Sequence, residues 1–156
     1  EPEAVEEIMG EAAHKFRRRY PNIAVSVHVP SELLLVPMDA ILIEQVIINL
    51  LENAIIHSDS TAPIELIVED RDPYISFTIK DYGKGIPKDH LNDLFDGSSY
   101  SPSQTADARK GMGIGLSICK TIITAHHGSL IGRNHENGAE FIFTLPKTTI
   151  FTQEKR

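Results

Sequence analysis

The sequence predicts an α/β fold: a two-layer sandwich in which a mixed, mostly antiparallel sheet is covered on one face by helices. Three observations carry that expectation. IELIVED (64–70) and YISFTIKDY (74–82) alternate apolar and polar residues and are joined by RDP, as the strands of a hairpin are. SLIGRN and AEFIFTLP repeat the pattern around the turn HENG (135–138). Residues 39–57 run without Gly or Pro and carry enough apolar residues to cover such a sheet with a helix.

The remaining elements follow in chain order. Residues 3–20 hold helix formers and no proline, and they end in the basic run KFRRRY, which suits a helix C-terminus. IAVSVHV (23–29) alternates as a strand does, and LLLV (33–36) is a short apolar segment. Asp39 is the expected N-cap of the long helix, which should bury Ile41, Leu42, Val46, Ile47, Leu50, Leu51, Ala54 and Ile55. A short helix is expected over 88–95, after Pro87. GSSYSPSQTADARKG (97–111) has almost no apolar content and reads as a mobile loop, and MGIGLSICKTIITAHH (112–127) returns to helix.

A chain of 156 residues with 41% apolar content is one domain's worth of core. The formal charge of −7 argues against a broad basic surface for nucleic acid or anionic lipid, so a bound phosphate would have to be held by local groups or a metal. The single cysteine, Cys119, excludes an internal disulfide and reads as a small apolar residue on a helix. AILIEQVIINLLENAII is interrupted by Glu44, Gln45, Asn49, Glu52 and Asn53 and is no membrane span. The opening EPEAVEE, acidic and without an initiating Met, is expected of a piece of a longer protein.

Two patterns carry chemistry. On the long helix Gln45, Asn49, Glu52 and Asn53 fall at i, i+4, i+7 and i+8, one narrow polar stripe. Such a stripe can be simply the wet face of a helix. Asn is nonetheless a poor helix former, and two of them four apart set two carboxamide oxygens, hard ligands suited to Mg²⁺, on one ridge. The second pattern is glycine. DYGKGIP (81–87) ends a strand in an acid and two glycines, and KGMGIGLSICK (110–120) sets Gly111, Gly113 and Gly115 at the expected mouth of a helix, where main-chain N–H groups can meet an anion. The G-x-G-x-G spacing fits a dinucleotide fingerprint poorly.

Taken in order, NLLENAIIHS, DYGKGIP, LFD, a polar loop, GMGIGLSICK and NGAEFIFTLP resemble the N, G1, F, G2 and G3 boxes of the histidine-kinase ATP-binding domain, of the Bergerat ATPase and kinase group. The resemblance runs from about Ile23 to Pro146. VPMDAILIEQVIINLLENA most resembles the potassium-sensing KdpD group. It implies ATP and Mg²⁺ as cofactors and three segments: residues 1–22, a helix leading in from an absent dimerisation domain; 23–147, the catalytic domain; and 148–156, a tail. The implied partners are that dimerisation domain and, through the parent protein, a response regulator, with no nucleic acid and no membrane contact by this domain. The implied location is the cytoplasmic side of a membrane sensor.

The resemblance also assigns residues. Asp81 should accept a hydrogen bond from the adenine amino group, a donor that an acceptor-only carboxylate fits, while Gly83, Gly85 and Ile86 pass beneath the base. Asn53 should ligate Mg²⁺ with help from Asn49, and these two are the implied catalytic residues. Gly111, Gly113, Gly115 and Leu116 should line the triphosphate under a lid formed by residues 97–110, where Arg109 and Lys110 could meet phosphate. His57 either faces the nucleotide or caps the helix C-terminus. Ile56 stands where the family usually has a basic residue, and the F box keeps Phe95 but has Ser98 where a second Phe is common.

Three functions compete. Phosphoryl transfer to a histidine elsewhere is favoured by Asn49, because the related hydrolases resemble one another in carrying a water-activating glutamate there, whereas a neutral imidazole needs no base. ATP hydrolysis rests on Glu52, on the same stripe. A degenerate binding module rests on Ile56 and Ser98. Among the seven histidines His135, followed by Glu136, comes nearest to a phosphoacceptor pattern, but it lies in a turn and not on a helix, so no acceptor is expected in this chain.

Overall fold

The computed structural model describes residues 2–57, 62–86 and 106–147, except for the side chains of 56, 57 and 106–114. The expected helix over 88–95, with Phe95 and Ser98, and the tail over 148–156 lie outside the described residues, as does the lid up to residue 105.

Alternation makes the sheet. Strands β2 (Val25–His28), β4 (Ile64–Arg71), β5 (Tyr74–Lys80), β6 (Leu130–His135) and β7 (Gly138–Pro146) form one five-stranded sheet in the order β2-β4-β5-β7-β6. The two hairpins, β4–β5 and β6–β7, close over two residues each and are antiparallel, as is the central β5–β7 pair. Only β2 and β4 run parallel. A helix intervenes between them, and parallel neighbours require such a crossover. Every second residue faces inward: Leu66 and Val68 on β4, Ile75, Phe77 and Ile79 on β5, Phe141, Phe143 and Leu145 on β7. Phe77 and Phe143 are register partners and stack with ring centroids 4.5 Å apart.

Among the described residues three helices, α1 (Val5–Arg19), α2 (Ala40–His57) and α3 (Ala106–Ala125), accompany the sheet. α2 begins where the sequence placed it, because Asp39 Oδ1 accepts the Leu42 N–H at 3.1 Å. The cap also sets the phase of the helix. Ile43, Val46, Ile47, Leu50, Leu51 and Ala54 are buried, whereas Ile41 is 79% and Leu42 41% exposed, which corrects the expectation that both enter the core. α1 starts two residues later than expected, since residues 2–4 form β1 (Pro2–Ala4), paired antiparallel with β3 (Leu35–Pro37). Its apolar face, Val5, Ile8, Met9, Ala12 and Phe16, joins the same hydrophobic cluster as α2 and the sheet. Lys15–Glu44 and Arg19–Glu52 ion pairs bridge α1 to α2.

α3 differs more. The sequence predicts loop over 97–111 and helix from 112, but the helix begins at Ala106. Ala, Asp, Ala, Arg and Lys at 106–110 contain no breaker after Pro102 and continue the helix although none is a large apolar residue. At its other end Gly128 lets β7 pass closely: a Cβ there would stand 1.8 Å from the Thr144 carbonyl oxygen, and main chain cannot give way.

Two glycines therefore predict opposite outcomes. Gly10, exposed inside α1 with nothing near its missing Cβ, should gain about 1 kcal/mol of stability as Gly10→Ala. Gly128→Ala should lose about 3 kcal/mol by overpacking. Urea unfolding of both variants checks the pair, and a Gly128→Ala protein as stable as the parent would refute the close approach.

Candidate functional site

On α2 the structure divides the polar stripe. Gln45 Nε2 donates to Asn49 Oδ1 at 3.0 Å, and Asn49 Nδ2 points across to Cys119 Sγ of α3 at 3.9 Å, whose thiol in turn faces the Val46 carbonyl. Burial pushes the Cys119 thiol up to about 11, with the Asn49 contact opposing weakly, so it packs as a neutral small residue. Asn53 is buried, and its Oδ1 is a buried polar atom with no partner among the described residues. An orphan of that kind costs about 1–3 kcal/mol. Glu52 does not share this environment: its Oε2 takes Arg19 and the Tyr20 hydroxyl, both from the α1 side. The expectation of one continuous stripe is corrected there, since the basic end of α1 draws the carboxylate away from Asn49 and Asn53.

α2 and α3 run antiparallel. Cys119 lies by Val46 and Asn49, while seven residues further on His126 Nε2 accepts the Asp39 N–H at 3.0 Å, seven residues before Val46. Moving back along α3 from Cys119 therefore leads past Leu116 and Gly115 toward the Asn53 end of α2. The Leu116 side chain is in the hydrophobic cluster. Gly111, Gly113 and Gly115 are not at the mouth of the helix but inside it. Beyond the first four residues helical N–H groups bond within the helix, so in this conformation the glycine amides form no anion cradle. The extension of α3 back to Ala106 is the cause of that correction. The side chains of His57, Arg109 and Lys110 lie outside the described residues.

The second half of the site lies where β5 ends. Asp81 follows the last strand residue yet remains tied to β7, donating its N–H to the Ala139 carbonyl at 2.9 Å. Its side chain is buried, and Oδ1 accepts two main-chain N–H groups, Gly83 at 3.0 Å and Ala139 at 3.2 Å. The Gly83 bond closes an Asx-turn, which bends the chain away from the sheet. Oδ2 has no partner among the described residues. Gly85 has φ +87°, a left-handed conformation, and a Cβ on it would meet Asn134 Oδ1 at 2.7 Å. Ile86 follows with its side chain in the core and its main-chain N–H and C=O both bonded to the Asn134 carboxamide.

Sequence reasoning missed three residues of this end: Asn134, His135 and Gly138. A Cβ on Gly138 would stand 2.3 Å from the Asp81 carbonyl oxygen, and His135 Nε2 donates to that same oxygen at 2.7 Å. The available signal was the HENG hairpin, whose turn must lie beside the end of any strand that pairs with AEFIFTLP. Among the described residues no group of three or more His, Cys, Asp or Glu gathers to hold a metal. A cation here would therefore lean on the orphaned Asn53 oxygen, and that oxygen suits a hard ion that keeps water and takes phosphate oxygens. No helix among the described residues is long and apolar enough to cross a membrane.

Comparison with known proteins bears on this arrangement. The family described as histidine kinase-, DNA gyrase B-, and HSP90-like ATPase matches residues 38–149. Sensor protein KdpD of Clostridium acetobutylicum is 41% identical over 146 residues, covering 93% of this chain and 16% of that protein. The adaptive-response sensory kinase SasA of a Nostoc species is 38% identical over 144 residues, covering 90% of this chain and 34% of that protein. The chain thus spans a minor part of both relatives. The solved catalytic domain of histidine kinase ThkA superposes with a TM-score of 0.77 at 34% identity, covering 96% of this chain and 99% of that one. The KdpD-like sequence, the five-stranded sheet under its helices and a match over most of the chain agree, and the chain belongs to the histidine kinase-, DNA gyrase B- and HSP90-like ATPase family as a histidine-kinase ATP-binding catalytic domain.

Proposed function

We propose that this domain binds Mg-ATP and transfers the γ-phosphoryl group to a histidine on a separate dimerisation domain of the same parent protein, facing the cytoplasm and serving a response regulator. The observation that carries the reading is that, among the described residues, the acid on the α2 stripe is turned away from the carboxamides. Asn49 stands where the hydrolase relatives resemble one another in having a glutamate, and Glu52, the nearest acid on that face, is tied to Arg19 and Tyr20. A neutral imidazole attacks phosphorus without first losing a proton, whereas water benefits from a base. The P–O bond to ADP breaks as the N–P bond forms. ThkA, at 32% identity, has been solved in complex with the response regulator protein TrrA, which supports the proposed partner class.

Each residue has a part in that reading. Asn53 Oδ1, buried and unpaired, would ligate Mg²⁺, and Asn49, held by Gln45, would assist. The metal, when bound, neutralises phosphate charge. Asp81 Oδ2 would accept the adenine amino N–H, with Oδ1 already saturated by main chain. Gly111, Gly113 and Gly115 would reach the phosphates by unwinding the first turns of α3. Each glycine costs that helix about 1 kcal/mol relative to Ala, so this end opens most easily. Lys110 and His57 keep their proposed places near the nucleotide.

Mixing this domain and ATP with the isolated dimerisation domain of the parent should yield acid-labile phosphate on the latter. Free phosphate released at a high rate with none transferred would favour hydrolysis. Asn53→Ala should weaken Mg-ATP binding more than about tenfold, while thermal unfolding stays put or rises because the orphan is relieved. Unchanged nucleotide affinity with Mg²⁺ present would remove Asn53 from the site. Asp81→Asn keeps an oxygen for Gly83 and Ala139 but turns a donor toward the base. It should weaken ATP and ADP equally, by about 1.5–3 kcal/mol in calorimetric titration, and a loss confined to ATP would place Asp81 on the phosphate side instead.

A further inference from the structure

The segment 81–86 leaves the sheet and contains two glycines, so little in its own sequence holds it in one conformation. Asp81 at its start is tied to Ala139 of β7, and the rest of its position is set from the last two residues of β6. Asn134 makes a paired contact with Ile86, its Oδ1 accepting the Ile86 N–H at 2.7 Å and its Nδ2 donating to the Ile86 carbonyl at 3.0 Å. Only one orientation of the carboxamide satisfies both, and the pair reproduces with a side chain the exchange of bonds that a neighbouring strand would make. His135 holds the other end of the segment. Its Nδ1 accepts the Asn137 N–H at 3.2 Å, so the ring proton sits on Nε2, which donates to the Asp81 carbonyl at 2.7 Å. Tyr82 packs edge-on against the same ring, with centroids 5.3 Å apart, and its hydroxyl donates to Glu65 on β4.

We propose that Asn134 and His135 are positioning residues for base selection: they fix both ends of the 81–86 main chain, and thereby the place of Asp81 Oδ2, tightly enough to discriminate a 6-amino purine from a 6-oxo purine. The inference rests on the reading of Asp81 as the adenine acceptor. A hydrogen bond tolerates a donor–acceptor range of only about 0.5 Å, so a carboxylate free to drift with a glycine-rich segment would accept the amino group weakly and lose selectivity before it lost fold. Phosphate contacts, made by other elements, are the same for both bases.

The test compares ADP with inosine 5′-diphosphate, which carries the same phosphates and a 6-oxo group, by calorimetric titration of this domain. Wild type should prefer ADP. Asn134→Ala should weaken ADP about tenfold and inosine diphosphate by less than about threefold, collapsing the preference. His135→Leu should act in the same direction, and His135→Gln, which returns a donor at the Nε2 position, should restore it. Thermal unfolding of each variant is read alongside, and if Asn134→Ala does not fold, the His135 pair decides. Variants that lose stability but keep the wild-type ratio overturn the inference and leave the proposed function standing. A wild-type domain that binds both nucleotides equally, or neither, overturns the Asp81 reading and this inference together.

Discussion

A β-carbon on Gly138 would collide with the Asp81 carbonyl, and the sheet end of the site is arranged around the closeness of those two stretches of main chain. Because β7 passes within reach, Ala139 can both accept the Asp81 N–H and donate to its carboxylate. Because the carboxylate is so anchored, one oxygen is consumed by the protein and the other is left with a defined direction. The buried acid is tolerated since main-chain donors replace the water it gives up. Main chain supplies one part of that geometry, the Asn134 and His135 side chains hold the segment that carries it, and the Asp81 side chain presents the acceptor oxygen.

The helical side works by the opposite means. There the polar groups are side chains, held in a layer otherwise made of Ile, Leu, Val and Ala, and their bonding is incomplete. Asn49 has partners at both ends, one of them a thiol too deeply buried to ionise near neutral pH. Asn53 has an oxygen with none among the described residues. A core that keeps an unsatisfied oxygen gives up stability that an apolar residue would return, so packing alone does not account for Asn53.

Much of this was legible beforehand. Period-two alternation located β4, β5 and β7, and Asp39 located the start of α2, because those signals are local and chemically strong. Helix phase was not legible at Ile41 and Leu42, where a short apolar run offers inward and outward choices that only tertiary packing resolves. The start of α3 was missed because a polar run with helical propensity was read by its lack of apolar anchors. Asn134 and His135 escaped for another reason. Their partners lie 48 and 54 residues away in the chain, and a carboxamide or imidazole at the end of a strand advertises nothing about what it touches.

The parallel pairing of β2 with β4 has a consequence for the order of assembly. Hairpins β4–β5 and β6–β7 each close over two residues, at small loop entropy, whereas β2 meets β4 only after the intervening chain, with all of α2, has been brought round. α1 is bound to that late edge, since Arg17 donates to the Val25 carbonyl of β2. The Asp81 end of the sheet asks for more still, because β5 meets β7 across a longer stretch of chain, Lys80 to Glu140, than the one from Val25 to Ile64 that brings β2 to β4. Truncation of α1 would take Val5, Met9 and Phe16 out of the core shared with the sheet, so it would be felt in stability and not only at the edge where β2 lies.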